Sequence, residues 1–364
     1  MGIYDYIKKI QQEIDSDKPY EEYAISFKEY KIFLESLVEQ NPRDVVATCQ
    51  LAIVLVELRN DSDVSINLME EFLVKYENEL THDEKLRIYI NLAFFYEEDG
   101  CVDKLVPILE KAIALQPNTP VPYNSRAMSI LEEDMGRPTK ENAIIALPFF
   151  EQATKLSNSF MYHYNYAVGL YYSGNITGAK NIFERLIEQR RNMKALFGVA
   201  VCSYFLDDKK TTIDILKFLV ANDKDEEVAE HQRAELFYLC EDYENSNAEH
   251  TKMDYYVRAD WVAPYFYCLR VLNKKEELLA VYEKFVNSKK EDLERTKLSE
   301  LDDYYTFEKQ TEDIKELQQE LDDIEEAYRR IVHEDYKPEV SSPQLIFEYY
   351  GCYLFDCPRH QRIQ

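Results

Sequence analysis

An all-α fold is predicted by three observations. Glycine occurs only 8 times and proline 12 times in 364 residues, too few turn-formers for the tight connections of a sandwich or barrel. Apolar residues recur three and four apart in the clearest stretches, about 86–98, 103–115 and 307–331. Small residues return at a near-constant interval: Ala52, Ala93, Ala127, Ala167 and Ala200 are separated by 41, 34, 40 and 33 residues, the mark of one unit repeated.

Residues 1–44 are expected to form N-terminal helices that cap the array, with a helix over 20–42 stopped at Asn41-Pro42. Repeats follow over about 45–220. The clearest begins at Tyr89 and runs Tyr89-x2-Leu92-Ala93-x2-Tyr96, Gly100 at a turn, then Leu105-x3-Leu109-x2-Ala112 and Pro117. Two amphipathic helices, about 86–98 and 103–115, are predicted there. Ala93 allows close helix approach, Gly100 ends the first helix and Pro117 stops the second. Tyr123, Ala127, Ile130, Ala146, Phe150 and Ala153 form the next unit, interrupted by a longer loop around 134–138. A third runs His163, Tyr166, Ala167, Leu170, Gly174, Ala179 and Phe183. Degenerate copies lie upstream (Thr48, Leu51, Ala52, Leu55, then Val64 and Leu68) and downstream (Leu196, Val199, Ala200, Ser203, then Thr212 and Leu216).

The pattern of large residue, Leu, small residue and Tyr, followed by Ala, Phe and Pro, resembles the tetratricopeptide repeat. It departs from that family in lacking Trp at the leading position and in placing Leu105 and Val64 where the second helix usually carries Ala. The resemblance implies a right-handed superhelical solenoid of antiparallel helix pairs whose first helices line a groove.

Beyond 220 the repeats weaken. Residues 221–288 are expected to hold two further hairpins, with Ala234 lying 34 residues after Ala200. Residues 289–336 are glycine-free, with 17 acidic and 9 basic residues from Lys289 to Lys337. Phe307, Ile314, Leu317, Leu321, Ile324, Tyr328 and Ile331 form a short heptad seam there. Packing of this seam on the last repeat is one reading; a homodimer through 289–335 is the other. Residues 337–364 begin with Lys337-Pro338 and Ser341-Ser342-Pro343, which break the helix. The aromatic, β-prone run 345–355 is expected to dock on the body as a short irregular or β-prone extension.

The charge bears on function. With 69 Asp and Glu against 43 Lys and Arg, the net charge is −26, which argues against nucleic acid or an anionic membrane as partner and leaves basic proteins eligible. No run approaches the ~18 apolar residues of a membrane span, and the start shows no signal core. Tyr6 replaces the Ser or Thr of a myristoylation signal at Gly2. Seven irregularly spaced cysteines fit a reducing cytoplasm better than a disulfide framework.

No phosphate-cradling Gly-Lys-Ser/Thr loop, no His-Glu-x-x-His pair and no Gly-x-Ser-x-Gly elbow is present. Paired carboxylates such as Glu97-Glu98 and Glu132-Glu133 are expected to be solvated helix ends. Cys352-x4-Cys357-x2-His360, with His333 as a further candidate, resembles a metal cluster but departs from zinc-ligand spacing. Reduced structural thiols are therefore the expectation, with no catalytic residue, metal or cofactor.

The tetratricopeptide resemblance places groove-facing residues beside the small anchors. These are Gln50 in the earliest copy, Arg87, Asn91 and Phe94 in the Tyr89 unit, and Asn124 and Met128 in the next. Tyr164, Asn165 and Tyr171 follow, then Lys194 and Tyr204. Side-chain amides at Gln50, Asn91, Asn124 and Asn165 suit an extended peptide, because an amide donates to and accepts from a backbone at once. The competing reading has these residues capping helices or facing water. Three function classes follow: a non-catalytic module binding a peptide or protein in its groove, an acidic inhibitor or immunity-type protein neutralising a basic toxin or nuclease, and an enzyme whose site local sequence does not reveal.

Overall fold

A computed structural model describes residues 2–16, 18–59, 62–132, 138–253, 259–302, 304–349 and 351–360. The loop expected around 134–138 lies, save Pro138, outside the described residues, as do Glu133 and Asp134. Among the described residues there are seventeen α-helices and no strand. The chain divides into two units, residues 1–175 with 347–364, and residues 176–346.

The first unit holds α1 (Ile3–Asp15), α2 (Tyr20–Gln40), α3 (Val45–Arg59), α4 (Asp63–Tyr76), α5 (His82–Glu98), α6 (Val102–Ala114), α7 (Val121–Glu132), α8 (Lys140–Leu156) and α9 (Phe160–Tyr172). Successive helices pack as neighbours, so α3/α4, α5/α6 and α7/α8 are antiparallel pairs. The leading helix of a pair is apolar nearly all round, as in Val45–Leu58, because it is covered on several sides. Ala52, Ala93, Ala127 and Ala167 are buried to within 1% exposure, where a larger side chain would push the helices apart.

Gly169 on α9 serves the same end. A Cβ there would lie 2.9 Å from the ring of Phe150 on α8. Gly100, at φ +68°, ends α5, and Gly174, at φ +89°, follows α9; both occupy the left-handed region that glycine enters at least cost. Elsewhere Gln116, Asp207, Glu241 and Asn273 adopt positive φ after helices, which is how so few glycines suffice for so many turns.

The second unit holds α10 (Ile176–Gln189), α11 (Met193–Phe205), α12 (Lys209–Asn222), α13 (Glu230–Leu239), α14 (Tyr243–His250), α15 (Ala259–Val271), α16 (Lys275–Lys297) and α17 (Phe307–His333). Pairs α11/α12, α13/α14 and α15/α16 repeat the arrangement. A small hydroxyl residue on a second helix donates to the carbonyl of the anchor alanine: Ser65 Oγ to Ala52 O (2.7 Å), Thr212 Oγ1 to Ala200 O (3.1 Å) and Ser246 Oγ to Ala234 O (2.8 Å). In the earliest copy the small residue is thus Ser65, one position beyond the expected Val64.

Helix α16 continues through the expected break near 289 and ends at Lys297, pairing with α17. The heptad seam is used inside the chain. Leu321, Ile324 and Ile331 are buried against Phe266 and Leu269 of α15 and Leu278 and Phe285 of α16, and Tyr328 stacks on Tyr282 at 4.0 Å. The C-terminal half of the seam is therefore packed within the chain, while Ile314 and Leu317 are half-buried and Phe307 at the start of α17 is exposed.

Arg233 is 4% exposed and donates from Nε to Glu249 (2.6 Å) and from a terminal nitrogen to Asp223 (3.4 Å). This buried network ties α13 to α14 and to the turn before α13. Removing one partner would strand the others without solvent.

Candidate functional site

Three of the predicted amides, Gln50 on α3, Asn91 on α5 and Asn165 on α9, lie two residues before their anchor alanines. Two helical steps rotate a side chain by about 200°, so with the anchor against the second helix of the pair, the amide points away from it. All three, and Asn124 on α7, are 0% exposed. Neither helix capping nor solvation accounts for them.

Their partner is the C-terminal segment of the chain. Asn165 makes both bonds an amide can make to one peptide unit: Nδ2 donates to Glu348 O and the Glu348 N–H donates to Oδ1, each at 2.8 Å. On α5, Asn91 Oδ1 accepts from the Phe355 N–H at 3.0 Å. Gln50 Nε2 donates to the carbonyls of Phe355 (3.1 Å) and Asp356 (3.2 Å), while its Oε1 accepts from the Tyr30 hydroxyl at 3.1 Å. The contacts of Glu348, Phe355 and Asp356 thus fall in turn on α9, α5 and α3, against the order of the repeats. Among its described residues the segment joins no strand; side-chain amides take the backbone groups that a sheet would have paired.

Side chains complete the fit. Phe347 stacks on Phe150 with centroids 5.8 Å apart. Tyr353 packs edge-on against the predicted Phe94 at 5.0 Å and donates its hydroxyl to Glu97 Oε2 at 2.5 Å. Burial, with the Glu97 charge beside it, raises the Tyr353 hydroxyl well above its ordinary range and keeps it a donor. Arg87 bonds the Asp356 carboxylate at 2.9 Å and lies over the Phe355 ring at 4.9 Å. Leu354 and Cys357 enter the core shared with Cys49, Ala52, Ala93 and Leu109.

The remaining predicted residues fall elsewhere. Asn124 supports the site from behind: its Oδ1 accepts from Asn165 Nδ2 at 3.2 Å and its Nδ2 lies 3.1 Å from the buried Met128 sulfur. Tyr164 and Tyr171 are buried, Tyr164 stacking on Phe160 and Tyr171 packing edge-on against Tyr172. Lys194 and Tyr204 lie on α11 of the second unit, half-buried.

That unit repeats the arrangement with residues the sequence reading passed over. On α13, Gln232 Nε2 donates to Gln344 O at 3.1 Å and the Tyr238 hydroxyl donates to Pro338 O at 2.8 Å. Gln232 stands two residues before Ala234, the same signal as Gln50 and Asn91.

Antiparallel helix pairs with a small anchor per pair, and a row of amides facing away from it, decide the fold. It is tetratricopeptide-like. Among known tetratricopeptide structures this chain is similar to YrrB, described as having an unusual peptide-binding site, at 14% identity over 60% of this chain and 98% of that one, with a TM-score of 0.44. It is similar also to a tetratricopeptide repeat protein from Parabacteroides merdae, at 14% identity over 70% and 93% of the two chains and a TM-score of 0.46. The human IFIT1 dimer with m7Gppp-AAAA matches at 18% identity over 75% and 64%, with a TM-score of 0.42. No family model matches the sequence, and no curated protein does. Among the described residues no helix is long and apolar enough to cross a membrane.

The C-terminal turn carries one further cluster. Cys352, Cys357 and His360 present ligand atoms all within 4.8 Å of one another, and Cys357 Sγ lies 3.6 Å from His360 Nδ1. His333, the other histidine considered, belongs to α17 of the second unit.

Proposed function

We propose that the groove of the first unit is a peptide-binding site, that the protein is a non-catalytic interaction module, and that residues 347–356 occupy this groove as a ligand in cis. The observation that carries the reading is the paired bond between Asn165 and the Glu348 peptide unit. It recognises a backbone and not a particular side chain, and so would accept another extended segment.

Two features support exchange with a partner's segment. Asn91 spends only half of its amide on the tail: its buried Nδ2 has no hydrogen-bond partner apart from the neighbouring Cys49 thiol, a weak acceptor. A peptide with a carbonyl at that point would make a bond the tail does not. Arg87 in turn favours an acidic side chain, and Phe94 an aromatic one. The partner segment on this reading is extended, with an aromatic residue near Phe94 and an aromatic-acidic pair at the Arg87 end.

A labelled synthetic peptide spanning residues 345–358, added to the full chain, tests this by the sign of two perturbations. Weakening the tail's own hold with Phe347→Ala and Asp356→Ala should strengthen capture of the added peptide about tenfold or more. Changing the groove as well in that tail-loosened chain, with Asn91→Ala and Asn165→Ala, should weaken it again. Equal effects from the two pairs, or no capture at millimolar peptide with the tail loosened, would reject the reading.

A further inference from the structure

We propose that Cys352, Cys357 and His360 form a binding site for a thiophilic divalent cation of the Zn2+ type. The spacing of these residues departs from the usual paired ligands, but the fold supplies what the spacing does not. The chain turns at Phe355-Asp356, where Asp356 takes the left-handed conformation at φ +55°, and turns again over 358–360. The two turns bring both sulfurs and the imidazole onto one side of the segment.

The distances fit with little movement. Zinc bound tetrahedrally by sulfur at ~2.3 Å and nitrogen at ~2.0 Å sets S–S edges near ~3.8 Å and S–N edges near ~3.6 Å. The Cys357–His360 edge is already 3.6 Å. Since no pair of ligand atoms is farther apart than 4.8 Å, the widest edge must close by only about 1 Å, within reach of small side-chain rotations. Cys357 forms a buried floor at 1% exposure, Cys352 is half-buried and His360 is exposed. Three protein ligands thus leave a fourth position on the open side for water or an exchangeable ligand.

The donor set selects the ion. Two thiols and an imidazole are soft to intermediate ligands that favour zinc over calcium or magnesium. Binding releases one proton from each thiol to solvent and places two thiolates on a doubly charged cation, leaving the centre neutral. The Glu57 carboxylate near the cluster is paired with Arg359 at 3.2 Å, so these two neighbouring charges offset one another. The ion would fasten residues 352–360, a stretch that includes the last groove contacts of the tail at Tyr353, Phe355 and Asp356.

Purified, tag-free full chain loaded with zinc and dialysed should retain about one equivalent by elemental analysis. With cobalt in its place, the protein should show the near-ultraviolet thiolate-to-metal charge-transfer band. His360→Ala, an exposed change that spares the core, should weaken the metal about tenfold or more, and Cys352→Ser should cut the cobalt–thiolate intensity roughly in half. Zinc retention unaltered by both substitutions, or a chain that binds no zinc and carries a Cys352–Cys357 disulfide under reducing-buffer purification, would overturn the assignment. Neither result bears on the peptide groove, which is tested by its own substitutions.

Discussion

Asn165→Ala removes the two-point clamp, and with it the 3.2 Å bond to Asn124 Oδ1. The substitution deletes both 2.8 Å bonds to the Glu348 peptide unit and leaves the Glu348 N–H and carbonyl without these partners in a half-buried place. Each bond contributes about 1 kcal/mol net, and incomplete resolvation of the stranded groups raises the total to roughly 2–3 kcal/mol. At about 1.4 kcal/mol per factor of ten, opening of this part of the tail becomes about 30- to 150-fold more frequent. Native-state hydrogen exchange reads this directly, because the Glu348 amide exchanges when the segment lifts from α9. Its exchange should accelerate by that factor, while amides in the middle of α5 and α8 keep their protection. Asn165→Asp should be worse than alanine: the carboxylate still accepts from the Glu348 N–H but sets an oxygen against the Glu348 carbonyl. Exchange at Glu348 within about threefold of the parent chain in both variants, with the fold intact, would show that the amide clamp does not hold the tail.

Two further predictions concern the framework. His250 is 3% exposed and stacks on Tyr265, and neither ring nitrogen has a hydrogen-bond partner; burial pushes its pKa down from 6.5 to about 3. Between those values the unfolded chain takes up a proton that the folded chain refuses, so the contribution is complete above about pH 6.5 and is lost as pH falls. Denaturant titrations should show about 2 kcal/mol of stability lost from about pH 7.5 to 5 that is absent in His250→Gln; equal pH slopes would refute this. Gly169→Ala places a Cβ 2.9 Å from Phe150, an overlap worth about 1–3 kcal/mol against about 1 kcal/mol of helix propensity gained. The alanine should therefore destabilise the parent chain and stabilise a Phe150→Leu background, and the same sign in both would contradict the packing argument.

The helix pairs were legible because close packing of a repeated unit admits only small residues at one position, and Ala52, Ala93, Ala127, Ala167 and Ala200 record that steric demand directly. The amides were legible through the same register. Gln232 was legible too, two residues before Ala234, but the fading repeat signal beyond 220 hid it. Lys194 and Tyr204 show the converse: near Ala200 the amide position is held by Gly198, where a Cβ would lie 2.8 Å from Phe183, so this repeat has no room for a clamp. What could not be read locally was the occupant. Phe347, Tyr353 and Asp356 are separated from Phe150, Phe94 and Arg87 by some two or three hundred residues, and no periodicity links a tail to the groove it fills. The seam of α17 was visible, but its partner, α15 and α16 or a second copy, depends on tertiary contact alone.

Tethering sets the terms on which any partner meets this groove. A segment attached through the same chain presents itself at an effective concentration of order millimolar. A free peptide with identical contacts, present at about a micromolar, is thus outcompeted about a thousandfold, or about 4 kcal/mol. The unspent Nδ2 of Asn91 returns about 1 kcal/mol of that to a better-fitted backbone. The remaining ~3 kcal/mol has to come from contacts outside the stretch now filled by 347–356. On the proposed reading, a short peptide that merely copies the tail is therefore a poor ligand, and the partner that displaces it presents its segment from a folded surface that also docks elsewhere on the protein.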